Sequence, residues 1–182
     1  MAHSGATGVV KERMMMMKDM GDSVKALAAM MRGETAYDAS KVKALASDIA
    51  AQSGAHMTEK FPEGSIEGPS EATPQIWQRW QSFDALAQQL EAYAGALQQA
   101  ADNPRGAPAG GASMMGGNSM MGGGMMQGGG MMQGGGMMQG GGMMQGGGPA
   151  PEHLASMPPD AAFAHMTQTC SSCHEQFRKK KQ

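Results

Sequence analysis

Val10, Met14, Met17, Gly21, Val24, Ala28 and Met31 recur at alternating steps of four and three. That spacing returns each residue to one face of an α-helix, the pattern of a helix packed along a bundle seam. The pattern returns at Ile76, Trp80, Phe83, Ala87, Leu90, Ala94 and Leu97. No strand-like alternation is visible, so the stripes are expected to be buried against other helices.

Four helices are predicted. The first runs from Val9 to Arg32, with Gly33 placed as a C-capping glycine. The second begins at Asp38 or Ser40, carries Val42, Leu45, Ile49 and Gln52 on one face, and stops near Gly54. The Pro- and Gly-rich stretch "FPEGSIEGPSEATP" is a loop. The third helix has Thr73 as cap and Pro74 in its first turn, and ends at Asn103-Pro104. The fourth follows "MPPD", with Asp160 as cap and Phe163, Met166, Cys170, Cys173 and Phe177 inward. Its closing "RKKKQ" suits the negative end of a helix dipole.

Between the third and fourth helices, residues 105–149 are mostly Gly, Met and Gln. "MMQGGG" repeats four times from Met125 to Gly148, after looser copies at Met114 and Met120. Paired methionines separated by glycines form no helical face, and glycine opposes helix. The stretch is therefore expected to be a disordered insertion within one domain. Its thioethers are soft ligands of the kind that select Cu(I).

The 182 residues carry a formal charge of -2, which gives no electrostatic case for nucleic acid. No run of about 18 apolar residues suggests a membrane span. Aromatics are only 4%, so the core falls to Leu, Ala, Val and Met. No nucleophile, base and orienting residue form a catalytic constellation, and no enzymatic activity is expected.

The chemistry concentrates in "CSSCH", Cys170 to His174. C-x-x-C-H is the c-type haem attachment pattern. Two thiols one turn apart can add across the two haem vinyl groups, and the next residue can present an imidazole to iron. Two other readings stay open at this point. A thiol redox pair also uses C-x-x-C, usually at a strand-to-helix junction. A structural zinc site needs four ligands, and only His165 is at hand to join the two cysteines.

"VVKERMMMMKDMG", "GETAYDASKVKALA", "FPEGS", "PQIWQRWQSF" and "CSSCHEQFRKK" occur in this order. Together they resemble the cytochrome c′ / cytochrome c-556 family over residues 9–103 and 158–182. The resemblance implies an all-α, antiparallel, up-down-up-down four-helix bundle holding one covalent haem c. It places the haem thioethers on Cys170 and Cys173 and the proximal iron ligand on His174. It puts Arg178 beside that histidine, Arg13 near the haem propionates, Met14 in the pocket wall and Glu71 near the haem edge.

Within the family, a methionine on the first helix distinguishes the six-coordinate, electron-transferring cytochromes c-556. Cytochromes c′ leave that position open, and their five-coordinate iron binds small gases such as NO and CO. The position lies four residues after the arginine, at Met17. Seam spacing agrees: Met14 and Met17 are expected inward, Met15 and Met16 away. A His174/Met17 electron-transfer cytochrome is thus expected, with gas binding or copper handling by the repeat as alternatives. The resemblance further implies a bacterial periplasmic location with the signal peptide absent from this numbering, a redox partner protein, and frequent pairing as homodimers.

Overall fold

The computed structural model describes residues 5–66, 68–105 and 148–180. The helices are α1 (Gly8–Met31), α2 (Ala39–Ala51), α3 (Gly54–Thr58), α4 (Gln75–Gln78), α5 (Trp80–Ala100), α6 (Pro151–Ala155) and α7 (Pro159–Phe177). No strand occurs among the described residues; one isolated antiparallel bridge joins Ala72 and Arg178. The four longer helices form an antiparallel four-helix bundle. The repeat-bearing insertion lies outside the described residues, apart from its stems at Arg105 and Gly148–Pro149.

Local chemistry explains the boundaries. Gly33 adopts φ +74°, and its amide reaches the Met30 carbonyl at 3.2 Å, ending α1 in the left-handed conformation that glycine tolerates. Asp38 caps α2 by accepting from the amides of Ser40 at 2.9 Å and Lys41 at 3.1 Å.

Helix α5 is the centre of the bundle, packed against α2 and α7. Phe83, Leu90 and Leu97 meet Leu27 of α1, Ile49 of α2 and Met166 of α7 in one apolar cluster. By contrast, α1 and α7 meet over only a short stretch.

Several expectations are corrected. The third helix is broken at Arg79, with φ −128° and ψ 43°, where its guanidinium bonds to Gln176 and lies over Phe177. Trp80 consequently stays 39% exposed rather than joining the core. Thr73 does not cap that helix; its hydroxyl donates to the Phe177 carbonyl at 3.2 Å. Asp160 lies inside the first turn of α7, after Pro158 at the cap position, and pairs with Arg105. Helix α7 ends at Phe177; Arg178 is extended, so Arg178, Lys179 and Lys180 lie beyond the helix.

Candidate haem-binding site

Helix α1 carries two neighbouring stripes, and the structure treats them differently. Arg13, Met16, Met20, Ser23, Leu27 and Met30 are buried. Met14, Met17, Gly21 and Val24, expected to face inward, are half-buried. The most covered stripe thus lies one residue before the expected one, while Met31 of the expected stripe is buried as well. Met16, expected to face outward, is only 6% exposed, whereas Met15, as expected, is 54% exposed. The physical reason is that α1 packs against α2 as well as α7, so its inward direction is set by more than one neighbour.

Helix α7 supplies the second wall. Cys170, Cys173 and Phe163 are half-buried and packed against the core, as are Met17 and Val24 of α1. The two thiols lie one turn apart on the inward side, and His174 follows in the last turn. Burial pushes the Cys170 thiol up and, with the nearby Cys170 adding to it, pushes Cys173 up to about 12. Thiols held protonated are poor nucleophiles in disulfide exchange, which weakens the thiol-redox reading. No group of three or more His, Cys, Asp or Glu positioned to hold a metal occurs among the described residues. His165 therefore does not complete a zinc site with the cysteines.

His174 is shifted toward its neutral form. Desolvation is the main cause, Arg178 adds to it, and Glu71 opposes it. His174 as a whole residue is exposed at the end of α7, so this desolvation is partial. Neutral imidazole is the form that ligates a metal.

Arg13 is 4% exposed and deeply engaged. It donates to Ser65 Oγ at 3.0 Å, to the Ser65 carbonyl, to Ser70 Oγ at 2.8 Å and to the Lys60 carbonyl at 3.4 Å. Its guanidinium also lies 4.9 Å from the Phe61 ring centroid. Desolvation lowers its pKa, but an arginine retains its charge. In this structure Arg13 ties α1 to the loop leading into α4.

Glu71 and Arg178, expected separately around the haem, form a pair with Arg178 Nε donating to Glu71 Oε2 at 2.6 Å. Sequence reading missed this pairing and also missed Ser65 and Ser70. Their partners lie 52 to 107 residues away, and no local pattern marks them. Of the other histidines, His56 and His153 are exposed and His165 is half-buried.

The residues fit a flat, largely apolar tetrapyrrole. One wall offers thioether and aliphatic carbon, and the other offers two thiols and an imidazole at the attachment spacing. Met17, Val24, Phe163, Cys170 and Cys173 are only partly covered by protein, so a large apolar group can complete their packing.

The profile of the family described as Cytochrome C′ matches residues 8–134, a span that ends before Cys170. A cytochrome c-556 of Agrobacterium fabrum (strain C58 / ATCC 33970) is 42% identical over 85 residues, covering 47% of this chain and 57% of that protein. A cytochrome c′ of Rhodopseudomonas palustris (strain ATCC BAA-98 / CGA009) is 36% identical over 93 residues, covering 50% and 63%. The match thus spans less than two thirds of each relative's length. The solved cytochrome c′ from Rhodopseudomonas palustris superposes with a TM-score of 0.62 at 24% identity, over 97% of this chain and all of that one. At that identity the structural likeness speaks to the bundle alone, but with the profile match over more than half its length, this chain belongs to the cytochrome c′ family.

Proposed function

We propose that this protein is a one-electron-transfer cytochrome carrying a single haem c on Cys170 and Cys173. The observation that carries the reading is the inward Cys170–Cys173 pair followed by His174, on a wall of α7 that packs with the half-covered Met17–Val24 stripe of α1 against one core. When bound, haem supplies an iron centre that changes oxidation state by one electron. The two cysteines hold it to α7, His174 offers a neutral imidazole, and Met17 offers a thioether from α1. Met14 lines the wall beside Met17. Arg13, held by Ser65 and Ser70, keeps a buried positive charge on α1, and Arg178, paired with Glu71, follows His174 by one turn.

Methionine at position 17 and the likeness to cytochromes named c-556 support the six-coordinate form. The solved neighbours are cytochromes c′, and they support the five-coordinate, gas-binding form as the second reading. Visible spectra of the oxidised and reduced holoprotein separate the two. A low-spin spectrum is expected, and a high-spin one moves the protein to the gas-binding class. Haem that leaves the protein in acid-acetone rules out the attachment.

No helix among the described residues is long and apolar enough to cross a membrane. A periplasmic location, a redox partner protein and homodimer formation belong to the same proposal. Fractionation of the native host and sedimentation of the holoprotein read the first and the last.

The repeat supports a separate reading through sequence alone. Six adjacent Met pairs lie between Met114 and Met144 on a glycine-rich chain, a donor set suited to Cu(I). Cu(I) titration against a competing chelator, with and without residues 114–148, tests it. Equal affinity in both removes copper from the account.

A further inference from the structure

The segment from Ser70 to Thr73 touches both helices of the proposed site. At its start, Ser70 Oγ accepts from Arg13 of α1 at 2.8 Å, and the same oxygen accepts from the Ala72 amide at 3.2 Å. The segment then runs antiparallel to the end of α7. The Thr73 amide donates to the Phe177 carbonyl at 3.0 Å, and the Lys179 amide donates to the Glu71 carbonyl at 2.8 Å. Lys179 Nζ reaches the Ser70 carbonyl at 2.8 Å. The Arg178 amide in turn bonds to the carbonyl of His174 at 3.1 Å. One line of bonds thus runs from Arg13 through Ser70 and Glu71 to Arg178 and the backbone of His174.

We propose that Glu71, through its ion pair with Arg178, is a positioning residue that sets the charge beside His174 and thereby the reduction potential of the holoprotein. This rests on the reading of His174 as the iron ligand. The Glu71 carboxylate confines the Arg178 guanidinium and offsets its charge at the imidazole. The two groups carry opposite charges, and Arg178 is fixed one helical turn from His174 by the bond of its amide to the His174 carbonyl. Both side chains keep about 40% of their surface in solvent, so water screens the pair and the effect stays moderate.

The signs follow from charge alone. Glu71→Gln leaves a cation beside the site, favours the reduced state and raises the potential. Arg178→Gln leaves an anion and lowers it. Each shift is expected to change the redox equilibrium by about three- to tenfold, a tenfold change being about 59 mV for one electron. The double variant returns toward the wild-type value. Thr73→Val removes one strap hydrogen bond without changing charge and leaves the potential in place.

The experiment is spectroelectrochemical titration of the holoproteins at low and high salt, after acid-acetone extraction verifies covalent haem. Opposite shifts that cancel in the double variant and shrink with salt support the proposal. Shifts of one sign in all variants, an equal shift from Thr73→Val, or no shift in proteins that retain haem overturn it and leave the haem reading standing. A wild-type protein without covalent haem overturns both.

Discussion

Arg105 and Asp160 form a two-point ion pair, Nε to Oδ2 at 3.1 Å and Nη2 to Oδ1 at 2.6 Å, joining the stem of the insertion to the first turn of α7. Arg105 Nη2 also donates to the Met31 carbonyl at 2.7 Å, and the guanidinium lies 4.8 Å from the Tyr37 ring centroid. The residue thus fastens the ends of α1 and α7. Both partners are less than a third exposed. Arg105→Ala is expected to cost about 1–3 kcal/mol, the range for charge-assisted hydrogen bonds lost from a partly buried site. Lys43→Ala, which breaks the more exposed Lys43–Asp102 pair, is expected to cost less than about 1 kcal/mol. Urea unfolding of the two variants measures the contrast, and equal losses would refute it.

The returning stem has its own anchor. Tyr93 donates its hydroxyl to the Pro149 carbonyl at 2.9 Å and accepts from Gln89 Nε2 at 3.0 Å. With both stems held by bundle residues, replacing residues 106–147 by a Gly/Ser linker of about ten residues should leave the fold and the haem spectrum unchanged. Two halvings of loop length should add about 1 kcal/mol of stability from lower closure entropy. A drop in stability instead would show that the insertion packs on the bundle.

Met16 and Met17 separate stability from ligation. Met16 is buried in the core, so Met16→Ala should cost about 2 kcal/mol or more while the haem spectrum stays low-spin. Met17 is half-buried, so Met17→Ala should cost less stability and convert the spectrum to high-spin. A spectral change in Met16→Ala but not in Met17→Ala would move the ligand by one position.

Arg13→Ala should release the loop from Lys60 to Ser70. It takes the guanidinium away from Ser65 and from the buried Ser70, whose hydroxyl keeps only the Ala72 amide, at a cost of about 2–4 kcal/mol. Arg13→Lys should recover little, because one ammonium cannot span both serines as the guanidinium fork does. Amide hydrogen exchange across residues 60–72 should speed up in both variants. Unchanged exchange would show that the loop is held by other bonds.

The features legible in the sequence are those whose cause lies within a few residues. Four-three spacing follows from helix geometry, so the main helices and most of the buried stripe of α5 could be read directly. Asp38 capping α2 and Gly33 ending α1 are equally local. The C-S-S-C-H motif carries its attachment spacing within one turn of helix. The tertiary structure decided what depends on distant neighbours. Packing against α2 and α7 buried Met16, which the spacing had placed outward. The break at Arg79 coincides with its bonds to the end of α7 and leaves Trp80 exposed. The joining of Glu71 to Arg178 depends on a loop pairing with the chain more than a hundred residues later. Helical periodicity marks a face but not its partner, and a charge marks a need for pairing but not the residue that meets it, because both are set by which segments the folded chain brings together.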